Sequence, residues 1–121
     1  KANRYFEEGK VVFFAGGTGH PYFSTDTGIT LRAVEMDADC ILLAKSIDGV
    51  YDSDPKQNPD AKKYDEVTID EVIEKNLQVV DMTASILARD NRMPMWVFGL
   101  NEENSIVNTM SGKFNGTKVL V

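Results

Sequence analysis

The chain has 121 residues, 42% of them hydrophobic and 26% charged, with Gly and Pro together making 13. That is the size and composition of one ordinary globular domain, or a piece of a larger one, and it excludes disordered, collagen-like and fibrous chains. A net charge of −6 gives no general attraction to nucleic acid or an anionic membrane, and the longest apolar runs, Val11–Ala15 and Cys40–Ala44, fall far short of the ~18 residues of a membrane helix.

In chain order, residues 2 to about 8 predict a helix closed by Gly9, and the run 11–15 predicts a short buried strand that stops at Gly16-Gly17. Residues 18–24 predict a loop, with Thr25 as N-cap of a helix carrying Ile29, Leu31, Val34 and Met36. Residues 40–45 predict a second buried strand. This β-α-β order points to a parallel sheet with a right-handed crossover. Cys40, the lone cysteine, rules out an internal disulfide or a thiolate cluster and fits an intracellular chain with a small buried thiol.

The stretch from Asp48 to Lys63 is polar, with Pro55 and Pro59, and predicts surface turns. Thr68-Ile69-Asp70-Glu71 is a capping box opening a helix to about Asn76. Another helix starts near Asp81, buries Ile86, Leu87 and Ala88, and ends before Pro94. Met95–Phe98 predicts a strand. Asn101 is the expected cap of a last helix with Ile106, Val107 and Met110 on one side, and residues 112–116 turn the chain into a final strand, Thr117–Val121. Met82, Met93, Met95, Met110 and Trp96 read as core. Alternating short strands and amphipathic helices make a layered α/β domain, with ligands expected beyond the carboxyl ends of the strands.

Gly16-Gly17-Thr18-Gly19, between strand and helix, can present backbone N–H groups to a phosphate; it is neither a Walker loop nor a dinucleotide fingerprint, and a plain flexible turn fits as well. Tyr22 and Phe23 beside the hydroxyls of Ser24 and Thr25 suit a planar base or a sugar phosphate. Asp26 is an ordinary helix-start acid or a carboxylate that holds or orients Mg²⁺ beside a phosphate. His20, the only histidine, excludes a histidine metal cluster. The acids between Asp48 and Pro55 make an acidic or merely solvated turn, Asp81 reads as an N-cap, and Arg89-Asp90 as a solvated helix edge.

Taken together, the segments 16–26, Asp48-Gly49-Val50-Tyr51 with Asp54-Pro55, Asp81-Met82-Thr83-Ala84 and Ala88-Arg89-Asp90-Asn91 resemble, in order and interval, the bacterial uridylate kinases of the amino acid kinase superfamily. The resemblance runs from about residue 2 to 121. It implies a three-layer α/β/α sandwich with a mainly parallel sheet, Mg²⁺-dependent transfer of the ATP γ-phosphoryl group to UMP, and a cytoplasmic homohexamer without nucleic-acid or membrane partners. It places UMP against Thr18, Gly19, His20, Pro21, Tyr22, Phe23, Ser24 and Thr25, and ATP against Lys45, Tyr51 and Asp54. Asp26 would help to place the Mg²⁺ and the transferred group. Lys45 stands where the family more often has Thr or Asn. The family's opening strand with its Lys-and-Gly phosphate loop, and a following Gly-rich stretch with an Arg and an Asp, have no match in residues 1–121. The expectation is therefore the carboxyl-terminal half of such a kinase, inactive alone, with a non-catalytic nucleotide-binding or assembly module as the alternative. A kinase acting on a carboxylate or carbamate is disfavoured by the loop from Thr18 to Asp26.

Overall fold

A computed structural model describes residues 1–121. Its elements are α1 (Ala2–Glu7), α2 (Thr25–Glu35), β1 (Ile41–Lys45), β2 (Glu66–Thr68), α3 (Ile69–Glu74), α4 (Met82–Asp90), β3 (Met95–Gly99), α5 (Ser105–Met110) and β4 (Thr117–Leu120). The strands form one mixed sheet in the order β1-β3-β4-β2. β1 runs parallel to β3 and β2 parallel to β4, while β3 and β4 are antiparallel. The α/β expectation holds, and no helix is long and apolar enough to cross a membrane.

Register explains the core. Ile41, Met95, Val119 and Val67 face each other across the four strands, as do Leu43 and Val97, so one sheet face collects the branched residues that the pleat places at alternate positions. Ile69 and Val72 of α3 and Ala84 and Ala88 of α4 cover that face, with Leu77, Val79 and Val80 closing it. Thr117 is fully buried and ties the polar surface loop to the sheet. Its hydroxyl accepts from the Val50 N–H at 2.9 Å and donates to the Tyr64 carbonyl at 2.5 Å.

Several expectations change. Residues 11–15 pair with no strand, and Val11 and Phe13 are 83% and 91% exposed. Strand composition alone makes no ladder: the segment lies off the sheet although the outer edge of β1 is unpaired. The parallel neighbours are thus β1 and β3 rather than the two arms of α2. Ser24, not Thr25, caps α2, its hydroxyl accepting from the Thr27 N–H at 3.3 Å. The three-residue strand β2, which runs directly into the capping box at Thr68, is too short to carry a periodic signal. α5 begins after Asn104, whose backbone is left-handed, rather than at Asn101. It buries Ser105 and Thr109 while Ile106, Val107 and Met110 face solvent.

The buried faces of α2 and α4 are also not the large apolar ones. α2 packs on α4, and the residues the two helices bury are small, Thr27 and Thr30 on one and Ala84, Ser85 and Ala88 on the other, whereas Ile29 and Ile86 lie outside. Small side chains at a crossing let two helices approach closely, and that closeness removes more surface than one large protruding residue would. Met82 is exposed along with Met110, and Cys40 is only half-buried. Trp96 sits on the opposite sheet face, its ring 5.0 Å from Phe114 and 4.5 Å from the Lys118 ammonium.

Candidate active site

The glycine loop adopts the geometry its residues allow. Gly16, Gly17 and Gly19 have φ of 98°, 59° and 79°, a region that costs other residues a Cβ clash. The turn closes with the Gly19 N–H donating to the Gly16 carbonyl at 3.2 Å, and the His20 N–H donates to the Thr18 hydroxyl at 3.2 Å. Arg32, one face of α2 away, donates to the Gly17 carbonyl at 3.0 Å. Gly28 completes the seat: a Cβ there would lie 3.4 Å from the Gly17 Cα, so the helix start and the loop touch through backbone alone.

Beyond Gly19 the loop is open. Gly19, His20, Pro21, Tyr22, Phe23, Ser24 and Thr25 are exposed, and Thr18 is half-buried. Tyr22 is fully exposed and held at a φ of 71°. A bulky residue in that region is uncommon and clusters at ligand-binding segments.

Two carboxylates and one ammonium meet at the start of α2. Asp26, in the first turn, accepts from the Lys45 ammonium at 2.9 Å, with the two side chains 18% and 23% exposed. Lys45 is the last residue of β1, so the pair joins a strand end to a helix start. Asp81 caps α4 through the Ala84 N–H at 2.7 Å. It also accepts from the Ser24 hydroxyl and from the Thr27 hydroxyl at 3.2 Å, which fastens the end of the glycine loop to a second helix. Burial pushes the Asp81 carboxyl up, but hydrogen bonds from Ser24, the Ala84 backbone and Thr27, together with the charge of Lys45, hold it below its ordinary value.

The sign of that shift fixes a pH dependence. A carboxylate with a depressed folded-state pKa contributes stability in full above its unfolded value of about 4 and loses it as pH falls through the folded value. The melting temperature is therefore expected to fall below about pH 4 more steeply in the native chain than in Asp81→Asn, measured by circular dichroism; identical acid limbs would remove Asp81 from this role.

Tyr51 and Asp54 lie elsewhere. They line a polar cavity of about 820 Å³ bounded by residues 46–57 and 75–79. The Tyr51 hydroxyl donates to Asp48 at 2.6 Å, and that hydrogen bond, with burial and the nearby charges of Asp48 and Glu102, pushes its pKa up to about 12. Asp54 accepts from the Lys56 N–H at 2.9 Å and shapes its turn. Lys45 does not line this cavity, so the three residues expected to share one ligand fall into two places. Thr27 and Arg32 were not singled out in the sequence. Thr27 stands three residues after a cap hydroxyl, the one local signal that could have marked it.

No group of three or more His, Cys, Asp or Glu side chains comes together as a metal cage. Asp26 and Asp81 are two carboxylates at the start of α2, a donor set that could hold Mg²⁺ only together with other ligands such as phosphate oxygens and water.

Comparison with known proteins gives this geometry its context. The chain is 52% identical over 120 residues to the uridylate kinase of Mycoplasmopsis synoviae (strain 53), covering 98% of this chain and 50% of that protein. It is 50% identical over 121 residues to the uridylate kinase of Mycoplasmopsis pulmonis (strain UAB CTIP), covering 99% and 50%. The solved structure of UMP kinase from Bacillus anthracis superposes with a TM-score of 0.92 at 39% identity, covering 98% of this chain and 49% of that one. The chain thus spans about half the length of the curated relatives it matches. The model of the amino acid kinase family matches residues 1–99, and with that match across most of its length, the chain belongs to the amino acid kinase family.

Proposed function

We propose that this chain carries the UMP loop and part of the ATP site of a UMP kinase, which transfers the γ-phosphoryl group of ATP to UMP. The observation that carries this reading is the junction at Asp26. An open aromatic loop from Thr18 to Thr25 ends there, fastened through Ser24 and Thr27 to Asp81 and through Asp26 to Lys45. In the reaction a phosphate oxygen of UMP bonds to the γ-phosphorus of ATP, the bond to the bridging oxygen breaks, and ADP leaves with that electron pair. The loop glycines let the backbone approach the UMP phosphate, Phe23 and Tyr22 offer faces to the base, and the Tyr51 and Asp54 cavity takes the ATP nucleoside. Mg²⁺, bound to the ATP phosphates near Asp26, would neutralise charge on the group in transfer. The resemblance to uridylate kinases also supports a cytoplasmic homohexamer working in pyrimidine nucleotide synthesis.

Calorimetric titration tests the reading. UMP and Mg-ATP are each expected to bind weakly, and Thr25→Ala and Tyr51→Ala to weaken UMP and ATP respectively by about tenfold, or ~1.4 kcal/mol. Absence of nucleotide binding even after the chain is joined to the remaining half of a relative would instead favour an assembly module.

A further inference from the structure

We propose that Lys45 is a phosphate-contacting residue at the junction of the two nucleotide sites rather than part of the ATP nucleoside pocket. The inference rests on the uridylate kinase reading and deepens it for this chain.

Placement is the first argument. Lys45 ends β1, and its immediate neighbour Ser46 opens the polar cavity that holds Tyr51 and Asp54, while Lys45 itself reaches the other way to Asp26. It therefore stands between the cavity and the glycine loop, at the carboxyl end of a parallel strand where open α/β sheets hold ligands. Donor count is the second. An ammonium has three N–H donors, and Asp26 accepts from this one at 2.9 Å; with the side chain 23% exposed, donors remain for an incoming oxygen.

Charge is the third argument. Asp26 and Asp81 at the starts of α2 and α4 would together repel a phosphate dianion, and the two helix amino termini offset this only in part. Lys45 offsets one of those two charges, which lowers the repulsion that the pair of carboxylates would otherwise exert on a phosphate. The ammonium sits 2.9 Å from Asp26, and its charge adds a smaller contribution to holding the Asp81 carboxyl below its ordinary value. Its partial burial limits screening by salt, and a charge-assisted bond to a phosphate is among the stronger polar contacts.

The test is titration of UMP, uridine and inorganic tripolyphosphate into the 121-residue chain, Lys45→Met and Lys45→Arg, by calorimetry at low salt. Lys45→Met keeps the aliphatic stem, and Lys45→Arg keeps the charge if the neutral variant folds poorly. UMP and tripolyphosphate are expected to lose about 10- to 100-fold in affinity in Lys45→Met, with uridine unchanged and Lys45→Arg within about threefold of the native chain. An unchanged ratio of UMP to uridine affinity in Lys45→Met overturns the role of Lys45 and leaves the uridylate kinase reading standing. Lys45-dependent binding of tripolyphosphate without any binding of UMP or uridine supports the phosphate contact, and the same result in the chain joined to the remaining half of a relative overturns that reading. A native chain that binds no phosphate ligand overturns the proposal.

Discussion

Given ATP, UMP and Mg²⁺, the 121-residue chain is expected to transfer phosphoryl groups at least ~10³-fold more slowly than the same chain joined to the remaining half of the Mycoplasmopsis synoviae relative, a deficit of ~4 kcal/mol in the barrier. The reason lies in the cations. Phosphoryl transfer depends on positioning and on neutralising charge across the three equatorial oxygens, and the one basic side chain paired at the junction is Lys45, already shared between Asp26 and the field of Asp81. A coupled assay of ADP release decides it: equal turnover by the two proteins would show that residues 1–121 hold the whole catalytic machinery. Asp26→Asn in the joined protein should lower kcat by about 10²-fold or more if this carboxylate orients the metal and the transferred group as proposed, and an unchanged kcat would remove it from that role.

Asp81→Ala is expected to destabilise the fold by about 3 kcal/mol, combining ~1 kcal/mol for the lost cap of α4 with the loss of two hydroxyl bonds to a charged acceptor. The Thr27 hydroxyl, on a residue only 5% exposed, would be left without its partner. Urea denaturation measures the difference, and Asp81→Asn should recover part of it because an amide oxygen still caps the helix. A loss below about 0.5 kcal/mol would mean that α2 and α4 are held by apolar contact alone. Amide exchange adds a local reading. In Asp81→Ala the first turn of α2 should exchange faster while β3 keeps its protection, since the cut connection joins two helix starts and not the sheet.

Features governed by a few neighbouring residues were legible in the sequence. The caps at Thr68 and Asp81, the glycines of the loop and the stop before Pro94 all act within about four positions, where side-chain chemistry decides the backbone. The resemblance to uridylate kinases carried the loop and Asp26. What stayed hidden depends on distant pairing. Val11–Ala15 has strand composition, yet strand formation needs a neighbouring edge, which composition does not specify. The buried faces of α2 and α4 could not be read from large apolar residues because they are made of Thr, Ala and Ser, with Gly28 against the loop. The Lys45–Asp26 pair joins residues 19 positions apart, and the bond from Thr27 to Asp81 spans 54. Neither distance leaves a periodic trace.

The unpaired segment Val11–Ala15 has a bearing on how the chain behaves in bulk. Four of these five uncharged residues, Val11 to Phe14, favour strands; Phe13 lies almost wholly in solvent, and β1 keeps one edge free. A short apolar strand with open backbone groups is a template for joining another copy of itself. In the isolated chain this segment therefore offers self-association a site that the net charge of −6 does not remove.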